Sequence, residues 1–182
     1  MDSNVGVPEV QHSEREPDNL RVLKLLVPSE LSAERVEWMW GKLLTQDYVF
    51  DDTTAGDARF FLMQLLMPTS QHFELGDDGL ISATGIQPGV GAILHVTVWG
   101  DVSGPKLSGA VREAITYLFT QYRLHRITAY IPRPRKEVAR LAILLGFKFE
   151  GELRGAYLRF KEFHNVSIYG LLRSEWEKGV VH

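Results

Sequence analysis

The run from Ala92 to Ile131 reads as a strand, a glycine-containing loop, a helix and a second strand. A helix N-terminus placed after such a loop offers free amides and a positive dipole end to phosphate, so the unit suits a pyrophosphate. Gly104 and Gly109 taken alone are equally consistent with an ordinary turn. His95 is the one side chain of AILHVTVW that titrates near neutrality. An imidazole of ordinary pKa, about 6.5, suits a general base acting directly or through water, and it also suits a histidine packed or hydrogen-bonded in a sheet. Cations are concentrated nearby: Gly104–Lys161 holds twelve Lys or Arg against four Glu, a local charge that attracts polyanions or serves as solvated surface.

The chain has 182 residues, 45% of them apolar and 24% charged, with a net charge of -3. That is the size and composition of one soluble globular domain. There is no cysteine, which excludes disulfides, thiolate metal sites and an acyl group carried on a cysteine; a substrate amine would have to attack directly. No metal site is expected. No window approaches eighteen uncharged apolar residues, and the polar, acidic start is unlike a signal peptide, so no membrane contact and a cytoplasmic location are expected. A pI of about 6.1 and the lack of a recognition motif argue against nucleic acid. Residues 1–19 carry five acids against Arg15, with few large apolar side chains and no period. They read as a flexible acidic arm, a candidate docking segment for a protein partner or larger assembly, ahead of a single domain over 20–182.

Hydrophobic periodicity supplies the elements that must position the candidate groups. Leu20–Val27 reads as a strand, and Pro28-Ser29 opens a helix whose apolar face is Val36, Met39, Trp40, Leu43 and Leu44. Asp57–Leu66 suits a second helix, although FFLMQLL also fits a strand. Gln71–Leu75, Leu80–Gln87 and Ala92–Trp99 read as strands of a meander, separated by Gly76-Asp77-Asp78-Gly79 and Pro88-Gly89-Val90-Gly91. Leu107, Val111, Ala114, Ile115, Leu118 and Tyr122 form a helical stripe. Arg126–Ile131 is a strand broken by Pro132 and Pro134. Val138, Leu141, Ala142 and Leu145 define a helix ending at Gly146. Strands over Phe147–Leu153 and Val166–Leu172 close the chain.

The segment Lys106-Leu107-Ser108-Gly109-Ala110-Val111, with LGFKFEGELRGAYL and VSIYGLLRSEW downstream, resembles the GNAT (Gcn5-related N-acetyltransferase) superfamily over roughly Leu20–Trp176, particularly its ribosomal-protein N-acetyltransferase branch. The first segment matches the family's coenzyme A loop, Gln/Arg-x-x-Gly-x-Gly/Ala. The others match its Leu-Gly-Phe, Glu-Gly-x-x-Arg and Tyr-x-x-Leu-x-x-x-Glu-Trp signature. The resemblance implies an α/β (α+β) GNAT fold: a mixed, mostly antiparallel sheet of about six to seven strands, splayed at the acyl-CoA site, with about four helices.

It further implies an N-acyltransferase that moves acetyl from acetyl-CoA to a primary amine. Backbone groups around Val96 and Val98 would pair with the pantetheine arm, amides of Lys106, Leu107, Ser108, Gly109, Ala110 and Val111 would hold the pyrophosphate, and Arg133 and Arg135, with Lys136, would meet the 3′-phosphate. The sequence departs from the family pattern at Val111, where a smaller residue is usual. The strand Ala92–Trp99 lacks the usual glutamate, leaving His95. Ala142, Val138 and Arg135 occupy the slots of the usual Tyr, Ser and Asn. Tyr169, Tyr157 and Tyr130 remain as phenols for the acid, and His72 and Glu74 as further bases. These departures also fit a second reading, a GNAT-fold protein that binds or scaffolds without turnover.

Overall fold

The computed structural model describes residues 23–54 and 56–179; the arm 1–19 and the first residues of the first expected strand lie outside them. The elements are β1 (Lys24–Leu26), α1 (Ala33–Leu44), α2 (Ala58–Leu66), β2 (Gln71–Glu74), β3 (Gly79–Gln87), β4 (Gly91–Val98), α3 (Gly104–Gln121), β5 (Arg126–Pro132), α4 (Lys136–Leu144), β6 (Lys148–Arg159), β7 (Glu162–Leu172) and α5 (Arg173–Gly179). Local chemistry accounts for the helix starts. The Ser32 hydroxyl accepts from Arg35 N at 3.1 Å, and the Asp57 carboxylate accepts from Arg59 N at 3.0 Å, each relieving an unbonded amide of a first turn. The Asp57 cap explains why FFLMQLL is a helix: it sets a phase that buries Phe61 and Leu65, one turn apart.

Among the described residues seven strands form one sheet in the order β1-β2-β3-β4-β5-β7-β6. Neighbours are antiparallel except β4 and β5. A parallel pair needs a crossover, which α3 supplies. This is the expected mixed sheet, with α5 as one helix more than the expected four. The main core packs Val111, Ala114, Ile115 and Leu118 of α3 against Ile81, Leu94, Ile127 and Leu171 of the sheet, with Ala142 of α4. On the opposite face, Leu26 and Leu80 meet Met39 and Leu43 of α1 and Phe61 and Leu65 of α2.

Two expected boundaries are corrected. The last two strands run six residues later and four residues earlier than their sequence pattern indicates, making a long hairpin over 148–172. Lys106–Val111 is not a loop before a helix but part of the first two turns of α3, which starts at Gly104 with Pro105 in the first turn. Pro needs no amide partner there and its fixed φ favours the helix.

Close strand packing makes one glycine sensitive. A Cβ added at Gly79 would lie 2.6 Å from the Thr97 carbonyl oxygen and 3.3 Å from Val98 Cα, both backbone atoms of β4. Gly79→Ala is therefore expected to destabilise the fold by about 1–3 kcal/mol, measured by urea unfolding; an unchanged midpoint would show that β3 and β4 can part without cost.

Candidate active site

β4 and β5 pair only through Gly91↔Arg126, Ala92↔Ile127 and Ile93↔Thr128. Both strands continue, to Val98 and Pro132, without further pairing to each other. Through the resulting split passes a cavity of about 310 Å³ that reaches both faces of the sheet. Val111, Val138, Leu141 and Ala142 wall it on the α3 and α4 side; His72, Ser82, His95 and Thr97 wall it on the α1 and α2 side.

The side on which His95 stands is decided by one irregularity. Gln87↔Gly91 at the turn would, continued strictly, bring His95 opposite Ala83, whose side chain lies in the main core. A register shift between Thr84 and Gln87 brings His95 opposite Ser82 instead. Gly85 occupies this bulge at φ 60°, where a side chain would be strained. A one-residue slip exchanges the faces of a strand, so the bulge places His95 and Thr97 toward α1 and α2, while Leu94, Val96 and Val98 pack on the α3 side.

His72, Ser82 and His95 thus form a row across β2, β3 and β4. His72 Nε2 lies 3.0 Å from the Gln64 carbonyl, which can only accept, so Nε2 carries the proton. His72 Nδ1 then accepts from the Ser82 hydroxyl at 2.8 Å. Burial lowers the pKa of His72, against the opposing effect of the Gln64 carbonyl, consistent with a neutral ring. His95 Nε2 lies 3.0 Å from Thr84 Oγ1. Burial first, and the neighbouring His72 second, push the His95 pKa down to about 4. The ring is crowded by the cavity walls yet reached by solvent along the cavity, and with its pKa lowered His95 is a free base at neutral pH. Glu74 is outside this group, paired with Arg35 at 2.8 Å.

The phosphate candidates lie at the end of the parallel pair where both strands terminate. Within Lys106–Val111, Leu107 N already donates to Ser103 O at 2.9 Å. Amides further into α3 are committed to the helix, leaving those of Gly104 and Lys106 without an intrahelical acceptor. A Cβ at Gly104 or Gly109 would meet nothing within 4 Å, so the helix tip is open to a ligand. Ala110 and Val111 point into the core; Val111 borders the cavity, not the open tip. Lys106 Nζ pairs with Asp78 at 3.4 Å. Arg133 pairs with Glu152 at 3.6 Å. Arg135 pairs with Glu137 and donates to the Asp47 carbonyl at 2.7 Å. Arg133, Arg135, Lys136 and Arg140 share a shallow depression beside α4, which Tyr169 also borders. Tyr169 is not among the cavity walls, whereas Tyr130 and Tyr157 are.

The sequence reading missed one wall, formed by Tyr48, Phe50 and Asp51 in the segment between α1 and α2. Asp52 N donates to Leu158 O at 2.8 Å, and the Asp52 carboxylate accepts from Phe160 N at 3.1 Å and Lys161 N at 2.8 Å. The segment has no period, and its fastenings span more than a hundred residues of sequence. Among the described residues, no helix is long and apolar enough to cross a membrane.

No family model matches the chain, and no curated protein matches it. Solved structures do. Mutant forms of the spermidine/spermine N-acetyltransferase SpeG from Vibrio cholerae align with a TM-score of 0.70 and 15% identity, covering 87% of this chain and 98% of that one. A chimera of spermidine N-acetyltransferase SpeG from Vibrio cholerae and hSSAT gives 0.68, with 15% identity and 85% and 98% coverage. A protein described as a probable acetyltransferase gives 0.65, with 18% identity and 85% and 93% coverage. At these identities the likeness is one of fold: the chain has the architecture of GNAT acetyltransferases.

Proposed function

We propose that the chain is an N-acyltransferase that moves acetyl from acetyl-CoA to a primary amine by direct attack. The observation that carries this reading is the cavity through the β4–β5 split with His95 on its wall. The split leaves backbone donors and acceptors near Val96 and Val98 for an extended arm, which can pair with them as an added strand. The open tip of α3, with the free amides of Gly104 and Lys106 and the Lys106 ammonium, suits a pyrophosphate. Arg133 and Arg135, with Lys136, are the cations for the 3′-phosphate. Neutral His95 takes the proton that the amine sheds as its nitrogen bonds to the thioester carbon. Backbone amides along the split stabilise the oxygen as it gains charge. Solvent in the open cavity can protonate the departing thiolate, so no step is assigned to Tyr169. The ribosomal-protein branch suggested by the C-terminal signature would present a protein N-terminus as the amine, the alternative to the small acceptor argued below.

Calorimetric titration with acetyl-CoA, followed by thiol release on a panel of amines, tests this. Micromolar binding that weakens with salt is expected, with a rise in Tm because the ligand binds only the folded state. No heat and no thermal shift at millimolar ligand would leave the fold without this function. Lys106→Ala should weaken CoA and dephospho-CoA equally, because Lys106 stands at the pyrophosphate and not at the 3′-phosphate, and by only on the order of 1 kcal/mol for an exposed cation already paired with Asp78. Arg133→Ala should instead reduce the preference for CoA over dephospho-CoA, and the opposite pattern would reverse the assignment. A second reading, binding without turnover, is favoured by a specific feature: Val138 and Ala142 give the α4 wall of the cavity no hydroxyl. Acetyl-CoA binding with no thiol release from any amine would select it.

A further inference from the structure

Resting on the acyl-transfer reading, we infer that the acceptor is a small monoamine with an apolar or aromatic body, and that polyamines and peptide N-termini are poor acceptors. The α1 and α2 half of the cavity is walled by Tyr48, Phe50, Phe60, Phe61, Tyr130 and Tyr157. Tyr48 is held at φ 61°, an uncommon conformation for a bulky residue, with its ring 6.3 Å from that of Tyr157 and 5.6 Å from that of Phe160. Such faces attract one ammonium and an apolar body together.

The charges of the walls set the number of cations the site takes. Among the described residues, the lining has one carboxylate, Asp51, and one guanidinium, Arg135; His72 and His95 are neutral. Asp51 Oδ1 accepts from the amide and hydroxyl of both Thr53 and Thr54, at 2.6–2.9 Å, while Oδ2 has no partner among the described residues. Burial raises the pKa of Asp51, but these four bonds outweigh it and the carboxyl stays ionised. One ammonium can therefore be matched as the acceptor enters; it loses one proton to solvent before its neutral nitrogen attacks. The further ammonium groups of a polyamine would find no second carboxylate among the described walls and would be repelled by the Arg135 guanidinium. Among the described residues the buried Tyr157 hydroxyl has no hydrogen-bond partner, and burial pushes its pKa up to about 12, so it is a standing donor awaiting an acceptor atom.

The boundary of the site sets the size of the acceptor. The segment carrying Tyr48, Phe50 and Asp51 is fastened to the β6–β7 hairpin through Asp52 and to Arg135 through the Asp47 carbonyl. It crosses this side of the cavity as a pinned wall, which suits a small molecule better than an extended peptide.

The test compares phenethylamine, spermidine and an alanyl tripeptide as acceptors, by kcat/KM from thiol release with product mass confirmed, and measures phenethylamine binding by calorimetry. Expected are a kcat/KM for phenethylamine at least about tenfold above both others, a KM for phenethylamine raised about three- to tenfold by Asp51→Asn, and a KM for its hydroxylated analogue tyramine raised about three- to tenfold by Tyr157→Phe, with kcat little changed in both variants. Tyr157→Phe keeps the ring and the fold should the Asp51 variant disturb its turn. Preference for spermidine or the tripeptide overturns the inference and leaves acyl transfer standing. Phenethylamine binding without product supports the pocket assignment and overturns acyl transfer. Absence of both binding and product overturns the inference.

Discussion

His95→Ala lowers the turnover of any accepted amine by roughly 10²–10⁴-fold, the range for loss of a positioned acid–base group, with acetyl-CoA affinity little changed. The expectation rests on position: the bulge at Gly85 turns His95 onto the acceptor side, and the cavity keeps it reachable. Its pH signature is specific. Burial and the neighbouring His72 lower the pKa to about 4, and a lowered pKa means that the neutral, proton-accepting form persists to lower pH. With an acceptor amine that is itself uncharged across the range, the rate should hold through pH 6.5 and fall only as the lowered pKa is approached. A limb at about 6.5 would instead report an imidazole with ordinary solvation. The alanine variant should lose the limb altogether. Unchanged turnover and an unchanged profile would remove His95 from the chemistry.

Leu118→Ala should lower stability by about 2–5 kcal/mol, through lost burial and the space left behind. Leu118 is fully buried in the core that holds α3 to the sheet. For a chain of this size a loss of about 3 kcal/mol corresponds to roughly 6–12 °C in Tm, at about 2–4 °C per kcal/mol. Leu144, on the outer face of α4 and 64% exposed, supplies the control: Leu144→Ala should stay within about 0.5 kcal/mol. Chemical unfolding of the two variants side by side checks both values. Equal losses would mean that the α3 core is not where the stability resides.

The order of elements was legible wherever one face is buried and the other wet. The α3 stripe from Val111 to Leu118 maps onto buried positions, with Leu107 half-buried against the same core, and the meander is marked by its Gly and Pro turns. The outer part of the β6–β7 hairpin was not legible. Its residues 152–156 are exposed, so no alternation marks a strand there. Its turn is Phe160-Lys161, both at positive φ, 54° and 63°, a geometry normally signalled by Asn or Gly. What supports it is the Asp52 carboxylate, which accepts both amides of the turn from more than a hundred residues away. The candidate site divides in the same way. His95 stood out by its type, but its face could not be read, because alternation groups Val96 with Val98 without saying which group faces α3. The Gly85 bulge answers that, and within a strand pattern a lone glycine was its only sign. Ser82 as the partner of His72 depends on strand register, and Asp51 on a loop without period; neither is encoded in local spacing.

The split has a mechanical side. The half-sheet β1–β4 and the half-sheet β5-β7-β6 touch along an edge only three rungs long, ending at Ile93 and Thr128. An edge contact so short gives a pivot if the leaves move, and α3 is the brace across it, since its buried face shares one core with Ile81 and Leu94 on one leaf and Ile127 and Leu171 on the other. Whatever is wedged between the free ends of β4 and β5 is held by two leaves with a common fulcrum, so the width of the jaw follows the seating of α3. A small change in how Val111, Ala114 or Leu118 rests on the leaves would be magnified at Val98 and Pro132, the tips farthest from the pivot.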